Sequence, residues 1–426
     1  MKIQDGGFRM NKRLKINILF FAVILTLTAC TPGATQGQQT QKGQVNVDQQ
    51  KNKASEPPWI ASKNTTRINN SDPFQTAVLV SKTVWMATNE KNQPGGVILA
   101  NPEDWQSALV SADLIHHPNN GPVLFVNKNN VPEITKNELK RLNPVGSTLN
   151  NGTQVILVGN LDQNVEQEIK GMGFKIDWIK GEGPAAIAKT VDDYYARISQ
   201  GYPQSVIIGS LDSQEYSLPA INWIAHMPEP LLYVTKDEIP TDTIEALKLR
   251  NGKASIYLLG PKSIISENVE KQLGQYGKVV RISGNDPYEN AVAFAKYKDP
   301  ETGFGWGITS PGHNFSFISL NTASLALAAA PFSHLGKHAP ILWTDKEKMP
   351  DTVMDYMMTV QPKYKKSPTE GPYNHSWLVG DEQSLNRAAQ GEIDDMLEII
   401  SSTGEGHGQH EGNSKNGMSE MPAMGH

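Results

Sequence analysis

PVLFVNKNNVP (residues 122–132), PLLYVTKDEIP (230–240) and PILWTDKEKMP (340–350) are one pattern, P-[VLI]-L-[FYW]-[VT]-x-K-x-x-[VIM]-P, written three times with starts 108 and 110 residues apart. An apolar run of four, then a polar turn, then proline reads as a buried strand that leaves its sheet and enters a helix. A second series follows each copy at a similar interval: VILVG ending at Gly159, IYLLG at Gly260 and SWLVG at Gly380. The first two of these lead into helix-like stretches, NVEQEI and NVEKQL. A third series opens the copies, with VILANPEDWQSAL from Val97, VIIGSLDSQEYSL from Val206 and GITSPGHNFSF from Gly307. Self-similarity at a fixed period means repeated units, and strand and helix signals alternating within each unit mean parallel strands joined by crossover helices. The expected architecture is therefore three tandem α/β domains, over about 62–176, 177–278 and 279–400, with KYKKSPTEGP (363–372) as a surface loop of the third.

Between the series stands a further motif. RINNSDPFQTAV (67–78) and RISGNDPYENAV (281–292) share R-I-x-x-x-D-P-[FY]-x-x-A-V, and WIKGEGPAAIAK (178–189) holds the same slot in the middle copy. The proline persists, at Pro73, Pro184 and Pro287, and so does the alanine, at Ala77, Ala188 and Ala291, while the arginine and the aspartate do not. Asp72 and Asp286 suit the N-cap of a new helix and the proline suits its first turn. The slot is thus strand-to-helix punctuation, which accounts for every residue except Arg67 and Arg281.

The flanks are different in kind. Lys12, Arg13 and Lys15 precede the apolar run INILFFAVILTL, which ends in Leu27-Thr28-Ala29-Cys30. That order of a basic, an apolar and a small-residue region is an export signal over residues 1–29. L-T-A-C resembles the lipobox of bacterial lipoproteins, which implies cleavage before Cys30, lipidation (palmitate included) of its thiol, and a place on the outer face of the cell membrane. Cys30 is the only cysteine, so the mature protein has no disulfide to lean on. Removing residues 1–29 takes away five basic residues and one acidic one and moves the net charge from −5 to −9. An acidic chain gives no electrostatic reason to bind nucleic acid. Residues 31–60 are rich in Gln, Gly, Asn and Lys and poor in large apolar residues. They form, with Cys30 and Ala61, a disordered tether over 30–61 with a root-mean-square span of about 30 Å and an extended limit of roughly 100 Å.

The repeats resemble the type 2 cell wall-binding repeat of bacterial surface proteins, over roughly residues 64–400. Arg281, Ile282, Ser283, Gly284, Tyr288 and Ala291, and Arg67, Phe74, Thr76 and Ala77, match its opening R-x-x-G-x-x-R-[YF]-x-T-A; Pro122, Leu124, Pro230, Leu232, Pro340 and Leu342 match its P-[IV]-L-L strand. The resemblance implies a Rossmann-like or toprim-like parallel-sheet domain per repeat, a pseudo-threefold arrangement of the three, and non-covalent attachment to an anionic polymer of the wall. The sequence departs from the family pattern at the second arginine, replaced by Pro73 and Pro287, at the aspartate of a D-A-L element, replaced by Ser107 and Ser217, and at a doubled glycine reduced to Gly159, Gly260 and Gly380.

Ligands of open α/β sheets sit beyond the carboxyl ends of the strands. Lys128, Lys236 and Lys346 recur just past such an end and are candidate polymer contacts, with an ordinary solvated turn lysine as the alternative. Arg67 and Arg281 are candidates too, with a structural ion pair or carbonyl contact at a domain seam as theirs. No nucleophile elbow, HExxH or phosphate-binding loop is present in the sequence, so the chain reads as a binding protein rather than an enzyme. His116, His117, His313, His334, His338 and His375 are scattered and read as bystanders. The tail, residues 401–426, is expected to be disordered, and it carries His407, His410, Met418, Met421, Met424 and His426, soft donors of the kind that suit Cu(I). No other cofactor is expected. A solute- or metal-capturing lipoprotein is the alternative function, distinguishable because such receptors place two lobes around one cleft.

Overall fold

Strands that are apolar on both faces are stable only when both faces are covered, and this governs the molecule. The computed structural model of the chain describes residues 56–334 and 338–403. In sequence order the sheet strands are β1 (Trp59–Ala61), β2 (Thr65–Ile68), β3 (Val97–Ala100), β4 (Val123–Phe125), β5 (Val155–Val158), β6 (Ile176–Ile179), β7 (Ser205–Ser210), β8 (Leu231–Val234), β9 (Ala254–Leu259), β10 (Gly277–Ile282), β11 (Asn314–Ser319), β12 (Ile341–Thr344), β13 (Lys363–Tyr364), β14 (His375–Val379) and β15 (Ile400–Ser401). They form three main sheets in the orders β4-β3-β5-β6, β8-β7-β9-β10 and β12-β11-β14-β2-β1. Every pairing in them is parallel except β1 on β2. Each sheet therefore repeats the doubly wound order 2-1-3-4, the Rossmann-like arrangement expected. Strands β3, β4, β5, β7 and β8 are buried along their whole length.

The boundaries between units fall elsewhere than at residues 62, 177 and 279. The strand just before each punctuation motif closes the sheet of the preceding unit: β6 pairs with β5, β10 pairs with β9, and β2 pairs with β14. The helix just after the motif packs on the next sheet, Pro73–Val84 beside β4, Pro184–Ser199 beside β8 and Pro287–Lys296 beside β12. Cuts at 177 and 279 fall inside β6 and β10, and a cut at 62 puts β2 in the first unit although it pairs in the third sheet. Because β2 comes from the N-terminal end and completes the third sheet, the chain closes a ring. The first strand of the third sheet starts at Asn314, after a coil that includes Gly307. The 363–372 loop contains β13, which pairs with β15.

The motif's chemistry is as its residues suggest. Asp72 Oδ1 accepts from Gln75 N–H and Asp286 Oδ1 from Glu289 N–H, each at 2.8 Å, with proline in the first turn. The middle copy enters its helix through Gly183, whose φ of +98° needs glycine and leaves no side-chain cap. One continuous apolar core runs through all three units, with a second cluster under the third sheet around Phe315, Leu342, Val353 and Ile393.

Aromatic residues of the P-x-L-[FYW] strands tie unit to unit. Tyr233 Oη donates to the carbonyl of Gln106 (2.8 Å) and Trp343 Nε1 to that of Glu215 (3.0 Å). Phe125, at the same place, has no donor and meets Phe74 edge-on. Among the described residues no helix is long and apolar enough to cross a membrane. Cys30, the signal region, the tether up to residue 55 and the histidine- and methionine-bearing tail from 404 lie outside the described residues.

Candidate functional site: the strand-end crevices

In a 2-1-3-4 sheet the crevice opens where the chain leaves the first and third strands in opposite directions. In the first unit this place, between β3 and β5, holds a cavity of about 210 Å³ lined by Asn101, Asp104, Lys128, Gly159, Asn160 and Leu161. Its floor is shaped by Gly159, which ends β5 with φ +102°. Gly260 and Gly380 end the matching strands at +113° and +130°. A Cβ-bearing residue is strained there, which explains why one glycine survives in every copy.

The lysine turns repeat atom for atom. The carbonyls of Lys128, Lys236 and Lys346 accept the backbone N–H of Asp162 (2.8 Å), Ser266 (2.9 Å) and Asn386 (2.8 Å). Each carbonyl thus helps satisfy the start of the helix behind the third strand. This fixes the lysine backbone in place while leaving its side chain uncommitted. Among the described residues none of the three ammonium groups makes an ion pair or hydrogen bond; Lys128 and Lys236 are exposed and Lys346 is partly so. At equivalent turns of three similar sheets there is thus a lysine whose charge nothing among the described residues engages, and in the first unit it lines the cavity.

Both arginines are already engaged. Arg67 is fully buried, with Nη1 donating to the carbonyl of Gly380 (2.9 Å) and Nε and Nη2 to Gln390 Oε1 (3.1 and 2.9 Å). Burial draws its pKa down from the ordinary guanidinium value. Arg281 makes the same bonds one seam earlier: Nη1 to Gly260 O (2.6 Å), Nε and Nη2 to Glu270 Oε2 (3.1 and 2.9 Å). In the middle copy Trp178 Nε1 donates to Gly159 O (3.0 Å). The slot serves the carbonyl of the positive-φ glycine, and an indole does that as well as a guanidinium. Arg67 is therefore withdrawn as a polymer contact because it is fully buried and has no surface to offer, and Arg281 takes the structural alternative, an ion pair with Glu270 and a carbonyl contact at the seam. The serines that replace the family's aspartate face inward: Ser217 Oγ bridges the backbone N–H and C=O of Ser210 (2.9 Å each).

Sequence reading passed over a second constellation. His116, His226 and His334 stand nine, nine and ten residues after Ser107, Ser217 and Ser324, and the fold brings them together where the three units meet. An offset that differs by at most one residue between copies was the available signal. Among the described residues no group of three or more His, Cys, Asp or Glu side chains is placed to hold a metal ion.

Residues 281–390 match the family model of cell wall binding domain 2 (CWB2). Among curated proteins the chain is 24% identical over 225 residues to the amidase enhancer of Bacillus subtilis (strain 168), a match covering 53% of this chain and 28% of that protein. It is 25% identical over 237 residues to N-acetylmuramoyl-L-alanine amidase LytC of the same organism, covering 55% and 43%. The chain spans less than half the length of either. Among solved structures, Cwp6 from Clostridium difficile aligns with a TM-score of 0.62 at 20% identity, covering 78% of this chain and 48% of that one. Cwp8 from the same organism aligns at 0.60 and 17%, covering 79% and 52%. The repeat family read from the sequence and the one matched by the third unit are the same, and the likeness to the two solved structures is one of fold.

Proposed function

We propose that this protein is a lipid-anchored, extracytoplasmic cell wall-binding protein whose three units hold an anionic wall polymer at their strand-end crevices. The observation that carries this reading is the recurrence of one uncommitted lysine per unit, at Lys128, Lys236 and Lys346, in a fold whose third unit matches a wall-binding model. Three separated cations suit a ligand with regularly spaced negative charge better than a compact anion, because each single contact is weak and the sum comes from linkage. A net charge of −9 after removal of the signal leaves local patches as the means of attraction. The shared segment with an amidase and an amidase enhancer fits a wall-targeting module joined to different partners in different proteins. Solute capture has less support, since three equivalent sheets do not make two lobes around one cleft.

The test is co-sedimentation of the mature chain with purified walls, before and after chemical removal of the anionic polymer. Binding to intact walls that weakens with salt and disappears with the polymer is expected; failure to pellet at low salt overturns the reading. For the anchor, mass spectrometry of detergent-extracted protein should find an acylated Cys30, and Cys30→Ala should release the protein into the medium.

A further inference from the structure

The three units meet at histidines. His116 Nδ1 donates to the carbonyl of His226 (2.7 Å), linking the first unit to the second, and His334 Nε2 donates to Asn120 Oδ1 (2.6 Å), linking the third to the first. His226 and His338 complete the circuit with ring centres 4.5 Å apart. Around this circuit His116 stacks on His117 at 4.3 Å, lies parallel to His226 at 5.6 Å and meets His334 at 4.9 Å. Trp85 stacks on His334 and Trp306 faces His338.

Each bond places a proton on the ring nitrogen that donates it. Because Asn120 Oδ1 can only accept, His334 carries a proton on Nε2, and its Nδ1 is buried with no partner among the described residues. His226 Nδ1 is likewise buried and unpartnered. A proton added at either nitrogen would find no acceptor and would stand close to another imidazole. Among the described residues these rings form no group placed to hold a metal ion. Other groups face the cluster. Asp113, 2% exposed and with neither oxygen bonded among the described residues, lines an adjoining cavity of about 310 Å³ with His116, His117, Tyr195, His226 and Met227. Glu229 lies near it, bonded to Trp223, and the Arg250–Asp192 pair stands behind. His313 approaches from the third unit, beside His338.

We propose that this histidine junction is a proton-operated joint: neutral, it locks the three units together; protonated, it drives them apart and loosens the grip of the ring. Burial, then the neighbouring imidazoles, pushes His226 and His334 down to about 4, and His117 is lowered as well. The sign follows: a histidine with an unfolded value near 6.5 and a folded value near 4 contributes nothing unfavourable above pH 6.5 and weakens the closed state progressively below it. From pH 7 to pH 5 the closed-state equilibrium falls roughly 20-fold for each of the two. Asp113 works the other way. Burial raises its carboxyl well above the usual range, so falling pH relieves a cost it imposes at neutrality.

The experiment is urea denaturation of the full mature chain at pH 7.5 and 5.0, followed by tryptophan fluorescence, on wild type, His226→Gln/His334→Gln and Asp113→Asn. Asp192 and Glu229, also raised by burial, gain on acidification as Asp113 does, so the comparison between variants carries the test: the double variant should lose less stability than wild type between pH 7.5 and 5.0, by at least tenfold in the folding equilibrium, and Asp113→Asn should lose more. A double variant whose stability changes with pH as the wild type's does overturns the proposal. Should the double variant not fold, NMR titration of the wild-type histidines decides: two resonances titrating well below 6.5 support the joint, and all of them near 6.5 overturn it.

Discussion

Two sets of cations recur through this chain, and they have opposite fates. Arg67 and Arg281 sit at the seams, where the guanidinium completes the carbonyl of a glycine held at positive φ. Lys128, Lys236 and Lys346 sit at the strand-end turns, where the backbone is bonded and the side chain is left over. Recurrence alone does not distinguish them. What does is whether the charged group already has partners and whether it has a path to solvent. The arginine slot tolerates Trp178 because its task is one N–H to one carbonyl; the lysine slot keeps its charge in all three copies although no bond to the described residues requires it.

The sharpest way to break this contrast is at Arg67. Arg67→Met keeps much of the volume but strips the charge from a fully buried site, leaving Gly380 O and Gln390 Oε1 without their donor and exposing the ring closure by β2 to loss. A destabilisation of about 3 kcal/mol in chemical denaturation is expected, from a stranded carbonyl plus imperfect packing. Wall binding per folded molecule should not change. A neutral result on stability would mean that the seam carbonyl finds water, and the structural role of Arg67 would fall.

Arg281→Met repeats the experiment where solvent reaches. Glu270 is partly exposed and can rehydrate, so the loss should be about 1–2 kcal/mol, concentrated in the carbonyl of Gly260. The ratio of the two arginine effects measures burial at otherwise matching sites. If Arg281→Met instead abolished sedimentation with walls while leaving stability intact, the roles of arginine and lysine would be reversed.

How far the sequence disclosed all this can be judged from the same residues. The repeat, the parallel α/β class, the helix caps at Asp72 and Asp286 and the glycine-ended strands are local patterns, set by period, propensity and capping chemistry within a few residues. Sheet membership is not local. That β2, β6 and β10 close the sheet behind them depends on where a chain of this length turns back, and the motif that marks the turn reads the same in either assignment. The histidine junction was hidden for a related reason. His116, His226 and His334 are separated by more than a hundred residues, and only the ring closure brings their rings together. The lysine crevices were legible in position, through the strand-end rule, but not in commitment, since the bonds from the lysine carbonyls to Asp162, Ser266 and Asn386 appear only in three dimensions.

The smallest expected effect on stability is at the lysines, and that is what makes them informative. Lys128→Gln/Lys236→Gln/Lys346→Gln keeps the backbone bonds that these positions supply and removes only three charges without partners among the described residues. Stability should stay within about 0.5 kcal/mol of wild type. Wall binding should fall at least tenfold at low salt, with the salt dependence flattened, because the triple variant gives up ionic attraction and little else. Each single variant should lose less than a third of that free energy if the three units engage one polymer together, since two linked contacts still hold the third site close to its ligand. Equal binding by wild type and triple variant would show that charge at the crevices is as idle as charge at the seams is occupied, and would move the search for the wall contact away from the strand ends altogether.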